Sequence, residues 1–222
     1  MKNPLILNFK NYMEISGEKT IELAKSAEKV SNNLGVEIIL APPQPSLWSV
    51  VRTVDIPVIC QHLDDADIGS STGYFIPEIA KSYGSKGSLI NHSEHRVNAN
   101  SISNLVRRLK DLKLISIVCA RTPAEVAEVA KFDPDFVAIE PPELIGSGKA
   151  ISKEAPQIIS SSLKSVNDNS DLARMVCGAG IVDKSDVTKA LDLGASGILV
   201  ASGIIKSVAW EQKISELASA FV

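Results

Sequence analysis

A glutamate follows an apolar run in the second half of the chain. Residues 136–139, Phe-Val-Ala-Ile, predict a buried strand, so Glu140 stands where the chain leaves the core. A partly solvated carboxylate in that position is suited to general base chemistry. The alternative is an ordinary strand-to-helix turn, in which Glu140 is a solvated or capping acid.

The loop after this glutamate has the composition of a movable lid. Pro141 and Pro142 restrict the backbone at its front, whereas Gly146 and Gly148 permit positive φ and close backbone approach at its back. Backbone amides there can hold an anion such as phosphate. The segment therefore predicts a base beside an anion-binding lid.

Polar side chains also end two earlier apolar runs. Asn8 and Lys10 are two residues apart, so on an extended strand both would point to the same side, where the lysine favours an anion. His92 is the first residue after the run at 87–91 that is a candidate to point into the site. Since His92 and His95 have no third His or Cys at a metal-ligand spacing, the sequence predicts no metal site. The alternatives are that Lys10 is a solvated surface residue and that the segment around His92 is a polar surface turn.

Two late loops are rich in small residues that leave backbone amides accessible. They cover residues 177–181, Cys-Gly-Ala-Gly-Ile, and 199–203, Leu-Val-Ala-Ser-Gly. In a closed barrel of parallel strands, the loops after strands seven and eight are the common phosphate-binding position. Each loop taken by itself is also consistent with a plain turn.

Short apolar runs that alternate with helical stretches must position these groups. The eight runs cover residues 5–8, 37–41, 58–61, 87–91, 115–119, 136–139, 175–178 and 197–200. Helical spacing lies between them, and the apolar residues Ile21, Ala24, Ala27, Val30 and Leu34 form one stripe. Strands that alternate with helices predict a parallel sheet with crossover connections.

Helix start signals support the same alternation. Thr122 is a capping residue followed by proline, and Glu125 is placed for the reciprocal bond of a capping box. Asp183 is a second capping residue, and Gly194 ends the helix that it starts.

An open doubly wound sheet and a closed barrel both fit this alternation. In an open sheet in sequence order, the first and eighth strands would be about 34 Å apart at about 4.8 Å per neighbour. The reactive groups converge on one rim only if the sheet closes. No G-x-G-x-x-G follows the first run, which weakens the dinucleotide-binding alternative. The prediction is a single closed parallel (β/α)8 barrel domain over residues 1–222.

Composition restricts the functional classes. The 222 residues are 45% hydrophobic and 22% charged, with net charge -3 and no basic patch, which excludes nucleic-acid and membrane-surface binding. No apolar run has membrane-spanning length, and the N-terminus lacks a signal-peptide pattern, so we expect a cytoplasmic protein. Cys60, Cys119 and Cys177 form no CxxC and are expected to be small core residues.

The ordered set of these motifs resembles the triosephosphate isomerase family, in its compact archaeal branch. The matching segments, in family order over nearly the whole chain, are residues 8–10, 91–94, 140–148, 177–180 and 201–203. The resemblance implies an interconversion of dihydroxyacetone phosphate and glyceraldehyde 3-phosphate through an enediolate, without a cofactor.

The resemblance also implies a role for each residue. Glu140 would be the base, neutral His92 would polarise the oxygens, and Lys10 with Asn8 would stabilise negative charge, with Glu94 beside them in support. Substrate and phosphate contacts would come from Asn8, Phe9, Lys10, Ile145, Gly146, Gly180, Ala201 and Ser202.

Assembly is implied by the family as well. The polar loop at 68–74, around Thr72, would reach into a neighbouring subunit near Lys10, which gives a homo-oligomer, a dimer or a tetramer. The chain departs from many members of the family at Glu143, at His95 and at residues 178–180, so lid closure and phosphate contacts are expected to differ in detail.

Two other functions remain compatible with the motifs. One is another phosphate-binding barrel enzyme, an isomerase, aldolase or lyase, with Lys10 as a Schiff-base candidate. The other is a barrel that binds a phosphorylated metabolite without turnover, although binding alone requires no base.

Overall fold

A computed structural model describes residues 3–222. Within them, seven parallel strands form one sheet in the order β2-β1-β7-β6-β5-β4-β3. The strands are β1 (Leu5–Asn8), β2 (Ile38–Ala41), β3 (Gly87–Ile90), β4 (Ile115–Ala120), β5 (Phe136–Ile139), β6 (Arg174–Cys177) and β7 (Ile198–Val200). Seven of the eight apolar runs therefore form strands, with ends within one residue of the prediction.

The remaining run, at 58–61, is not a continuous strand. Val58 and Cys60 form isolated parallel bridges to Leu40 of β2 and Ser88 of β3. Five backbone hydrogen bonds join residues 57–60 to the two neighbouring strands. This extended segment thus lies between the two edges of the sheet and closes it into a barrel, as predicted.

Helices follow the strands and cover the outside of the barrel. They are α1 (Glu18–Leu34), α2 (Leu47–Val51), α3 (Pro77–Ser82), α4 (Ala99–Asp111), α5 (Pro123–Ala130), α6 (Ile151–Glu154), α7 (Pro156–Asn169), α8 (Lys184–Asp192), α9 (Ser202–Ile205) and α10 (Trp210–Ala218). Short 3-10 turns occupy Met13–Ile15, Gln44–Ser46, Pro142–Leu144 and Ser219–Phe221. No helix in the described part of the chain is both long and apolar enough to cross a membrane.

The core has two layers that follow the two-residue period of the strands. The inner layer contains only residues from the barrel wall, among them Ile6, Leu89, Phe136 and Ala138. The outer layer joins the alternate strand residues to the helices. Because successive side chains of a strand alternate between faces, a residue two positions after an inward-facing one also points into the barrel.

The predicted helix signals are largely confirmed. Ala24, Ala27 and Val30 are buried on α1. Asp183 caps α8 in a complete capping box with Asp186. The Thr122 side chain caps α5, but the reciprocal bond predicted for Glu125 is wrong. The Glu125 carboxylate instead accepts from the Arg121 backbone N–H and forms an ion pair with the Arg96 guanidinium, which holds it away from the Thr122 N–H.

Candidate active site

The Glu140 carboxylate continues the inward face of β5. Phe136 and Ala138 lie in the inner layer, so Glu140, two residues on, enters the mouth of the barrel. Its backbone amide donates to the Ala120 carbonyl at 2.9 Å, which fixes the chain where the strand ends. The residue is 6% exposed, so this carboxylate is more buried than the partly solvated acid that the sequence predicts.

A kink after β3 aims His92 at this carboxylate. Asn91 has a left-handed backbone with φ of 64°, and its side-chain amide donates to the Cys119 carbonyl at 3.0 Å. The backbone therefore turns inward at the end of the strand. His92 follows at 5% exposure, and its Nε2 atom lies 3.3 Å from Oε2 of Glu140.

Hydrogen bonding defines the tautomer of this histidine. The backbone N–H of Glu94 donates to Nδ1 of His92 at 3.2 Å. A ring nitrogen that accepts a hydrogen bond carries no proton, so the neutral ring carries its proton on Nε2. His92 thus presents an N–H donor to the centre of the site.

Neither facing atom has a hydrogen-bond partner among the described residues. Nε2 of His92 and Oε2 of Glu140 are both buried, and their approach does not have hydrogen-bond geometry. Unpaired buried polar atoms are costly, so such atoms in a native protein indicate a place where a ligand completes the bonding. A substrate that offers one hydrogen-bond acceptor and one acidic C–H would pair with Nε2 of His92 and Oε2 of Glu140.

Lys10 reaches the same region from the end of β1, although its backbone conformation differs from the predicted one. It has φ of 49°, which is left-handed and not extended, and its amide donates to Oδ1 of Asn8 at 3.0 Å. The prediction that Lys10 lies on an extended strand was therefore wrong. The prediction that Lys10 and Asn8 face the same side is confirmed, because both line the same cavity. The Lys10 ammonium lies 2.6 Å from Oε1 of Glu94, and the Lys10 side chain is 12% exposed.

Gln61 supports this turn, and sequence reasoning missed it. Its side-chain amide donates to the carbonyls of both Lys10 and Ala41, at 3.1 and 3.0 Å. The left-handed turn at Lys10 is thereby tied to the end of β2. A polar residue at the end of an apolar run was the available signal, as it was for Asn8 and His92.

One cavity joins Lys10 and Glu140 to the small-residue loops. The predicted contact residues that line it are Asn8, Lys10, Ile145, Gly146, Gly180, Ala201 and Ser202, together with Glu140. Phe9 differs from the others, because its fully buried side chain packs in the outer layer and does not face the cavity. An adjoining cavity shares Asn8 and Lys10 and contains His92 and Glu94.

Close backbone packing explains two glycines of the loop at 177–181. A Cβ on Gly178 would lie 2.6 Å from Cγ of Glu140, and one on Gly180 would lie 1.9 Å from the Lys149 carbonyl oxygen. Gly178 therefore forms the wall against which the Glu140 carboxylate rests. Gly180 lets the same loop touch the end of the lid. The sequence identified Gly178 and Gly180 as small residues, but it did not predict these contacts.

All three cysteines are free and buried, as predicted. Burial raises the pKa of the Cys60 thiol to about 12. Burial, with the Glu140 charge as a further cause, also raises the pKa of Cys119 and Cys177. These groups stay protonated at neutral pH and are not nucleophiles. Within residues 3–222, no cluster of His, Cys, Asp and Glu is arranged to hold a metal ion.

Comparison with known proteins agrees with this geometry. The protein-family model described as triosephosphate isomerase matches residues 4–217. The chain belongs to the triosephosphate isomerase family. Triosephosphate isomerase of Cenarchaeum symbiosum is 47% identical over 216 residues, which are 97% of this chain and 96% of the relative. That of Methanothermus fervidus is 45% identical over 218 residues, 98% of each chain. That of Caldivirga maquilingensis is 45% identical over 223 residues, 100% of this chain and 99% of the relative.

Two of the positions at which the chain was expected to depart from the family have distinctive local structure. Ala179 has φ of 71°, a left-handed conformation that glycine adopts more readily. His95 stacks on His62 with ring centroids 3.7 Å apart. Both histidines lie in the cavity that contains Lys10 and Glu94.

The stacked rings make stability depend on pH. Burial and the charge of His95 lower the pKa of His62 below its ordinary value of 6.5, and Asp64 opposes this only in part. Below pH 6.5 the unfolded chain therefore takes up a proton that the folded chain resists, so stability falls as pH falls. We expect the melting temperature to decrease over this range. His62→Gln should flatten the decrease, and a pH profile that matches the unmodified protein would contradict the assignment.

The wall formed by Gly178 can be tested by adding one methyl group. In Gly178→Ala the new Cβ would displace the Glu140 carboxylate, so we expect kcat to fall about tenfold or more, since a small misplacement of a reacting group is costly. Steady-state kinetics with a triose phosphate would measure this, beside a melting curve. An unchanged kcat would show that Gly178 does not set the position of Glu140.

Proposed function

We propose that the chain interconverts dihydroxyacetone phosphate and D-glyceraldehyde 3-phosphate by proton transfer through an enediolate, a step of glycolysis and gluconeogenesis. Family membership and the names of its relatives support this reaction. The observation that carries the proposal is the pair of unpartnered atoms, Nε2 of His92 and Oε2 of Glu140, 3.3 Å apart. A base and a hydrogen-bond donor face each other where a carbonyl and its α-proton would lie.

Each reacting group has a defined task in this proposal. Glu140 removes the proton α to the carbonyl, and the same carboxyl returns it to the neighbouring carbon. The Nε2–H of His92 donates to the two substrate oxygens in turn, because its tautomer leaves that donor free. The ammonium of Lys10 and the amide of Asn8 stabilise the negative charge that develops on those oxygens.

The phosphate is assigned to the small-residue loops. Gly146 and Gly180 bring backbone close to the cavity, and the first turn of α9 begins there with Ser202. Backbone N–H groups that point at an anion bind it without a charged side chain. The lid at 141–148 would close over the phosphate and exclude water, which protects the enediolate.

The Schiff-base alternative is disfavoured by the position of Lys10. Its Nζ donates to Glu94 at 2.6 Å, so its bonding is that of an ammonium and not of a free nucleophilic amine. Borohydride in the presence of a triose phosphate should therefore leave no covalent adduct on the chain.

Removing the base tests the proposed chemistry. Glu140→Gln keeps the shape of the side chain but cannot accept the proton, so we expect turnover to fall by about 10²- to 10⁴-fold. The assay couples glyceraldehyde 3-phosphate formation to a dehydrogenase. Glu128→Gln is the matched control, since that side chain lies on α5 away from the site and is 72% exposed. Near-normal turnover of the Glu140 variant would refute the role.

The charge of Lys10 is tested in the same way. Lys10→Met removes the ammonium and keeps the apolar stem, so we expect kcat/KM to fall about 10²-fold or more. Lys29→Met is the control, because that lysine also forms an ion pair, with Glu211, but on an exposed surface. Equal kinetics for the two variants would show that the Lys10 charge does not act on the substrate.

We further infer a homo-oligomer in which the loop around Thr72 enters a neighbouring copy. Ile68 and Tyr74 flank this loop and are 70% and 60% exposed. The 370 Å³ cavity beside Lys10 is polar and open, and it offers room for the polar tip of such a loop. The phosphorylated substrate, which does not cross membranes freely, supports a cytoplasmic location.

Assembly has its own test. Light scattering should give the mass of a dimer or tetramer, and Thr72→Arg should reduce that mass, because a bulky charge at the loop tip prevents its burial. Turnover per chain should fall together with the mass. A monomeric unmodified chain with full activity would contradict the proposal.

A further inference from the structure

Asp186 is a buried carboxylate that the proposed chemistry does not use. It lies in the first turn of α8 and its side chain is 4% exposed. One oxygen, Oδ2, accepts the backbone N–H groups of Val182 and Asp183 at 2.9 and 3.1 Å. The other oxygen, Oδ1, lies 2.6 Å from Nζ of Lys153.

The two oxygens hold two different segments. Val182 and Asp183 end the loop whose Gly180 lines the phosphate cavity. Lys153 lies on α6, the first helix after the lid. Asp186 therefore connects the end of the phosphate loop to the end of the lid.

Neighbouring contacts strengthen the same joint. The Ser152 hydroxyl, which is fully buried, donates to the Asp186 carbonyl at 3.0 Å. The Ile151 amide donates to the Ala179 carbonyl at 3.4 Å. Gly180 packs directly on the Lys149 carbonyl. The residues on the C-terminal side of the lid are thus fixed to the phosphate loop at several successive points.

This ion pair differs from the surface pairs of the chain. Lys164 and Asp168 also lie close together, but both side chains are more than half exposed, and such pairs contribute little. In the Asp186 pair the carboxylate is buried, and a buried charge that loses its partner is strongly unfavourable. The close Asp186 carboxylate, with Asp183 as a further cause, raises the pKa of Lys153, which keeps the ammonium charged.

We propose that Asp186 and Lys153 are a positioning pair that makes lid closure and phosphate binding a single event. This inference rests on the proposed isomerase function. With the pair intact, the lid closes against a loop whose place is already set. Without it, fewer contacts hold the end of the lid to the phosphate loop, and the closed state is less populated.

The consequence concerns the fate of the enediolate. If the site opens early, the oxyanion collapses to a carbonyl, the carbon–carbon double bond moves one position toward the phosphate, and the C–O bond breaks. Its electron pair leaves on inorganic phosphate, which takes a proton from water. The remaining fragment is the enol of a 2-oxoaldehyde. The ratio of released phosphate to isomerised product therefore reports how well the lid is held.

The test measures this ratio for the whole chain with dihydroxyacetone phosphate. We expect Lys153→Met to raise it about tenfold, because a small loss of alignment has a large effect on a reacting complex. Lys153→Arg, which restores the charge, should return the ratio to near the unmodified level. Lys164→Met is the matched control and should leave it unchanged. Lys153→Met should also lower the melting temperature, because the buried Asp186 carboxylate loses its charged partner, so the ratio is measured well below that temperature.

A double variant separates the pair from its members. Asp186→Asn should raise the ratio, and adding Lys153→Met to it should raise the ratio by much less than Lys153→Met does alone, since the Asp186–Lys153 contact is already lost and Lys153 keeps only its longer contact with Asp183. Lys153→Met keeps the test valid if Asp186→Asn does not fold. An active unmodified chain with an unchanged ratio in Lys153→Met would overturn this inference alone. An unmodified chain without isomerase turnover would overturn the proposed function itself.

Discussion

Closure of the barrel by the segment at 57–60 is the constraint on which the site depends. This segment bonds to β2 on one side and to β3 on the other, and so joins the two edges of the seven-stranded sheet. Each such bond contributes roughly 1 kcal/mol, so the effect of closure lies less in its energy than in its geometry. Closure brings the carboxyl ends of β1, β3 and β5 to one rim. Lys10, His92 and Glu140 lie at those ends.

Within the rim, backbone turns set the reacting atoms more than side-chain packing does. Lys10 and Asn91 both have left-handed φ values, and each is held by a side-chain amide, Gln61 at the first and that of Asn91 itself at the second. The N–H of Glu94 then fixes the ring of His92. The outcome is a charged donor, a neutral donor and a base that are in place before any ligand binds, which is the preorganisation that electrostatic catalysis requires.

Much of the fold could be predicted because apolar runs and capping residues are local signals. The eight runs and the apolar stripe on α1 could be predicted from the side-chain periods of strands and helices. The Asp183 cap could be predicted from the type of residue that precedes the helix. The segment at 57–60 fell short of a strand because Pro57 has no N–H, which limits the ladder that it can form with β2. Pro57 is itself a local signal of that loss of pairing, and the prediction did not use it.

The site was predicted as a set of residues but not as a geometry. The types and order of Lys10, His92 and Glu140 were sufficient to name them. The turn at Lys10, the contact of Gly178 with Glu140 and the joint at Asp186 all depend on segments far apart in the chain. Glu125 shows the same limit, because its carboxylate is taken by Arg96 from a different element and not by the local cap. Such competition becomes visible only when the elements are packed.

Deuterium incorporation tests the central claim, a base that moves a proton through an enediolate, most directly. The purified chain would convert dihydroxyacetone phosphate in D2O, and NMR would locate deuterium in the glyceraldehyde 3-phosphate formed. The account predicts product with deuterium at C2, because a proton held on the Glu140 carboxyl exchanges with solvent before it is returned. Product wholly without deuterium, together with near-normal turnover of Glu140→Gln, would indicate a direct hydride shift, and it would contradict the role assigned to the carboxylate facing His92.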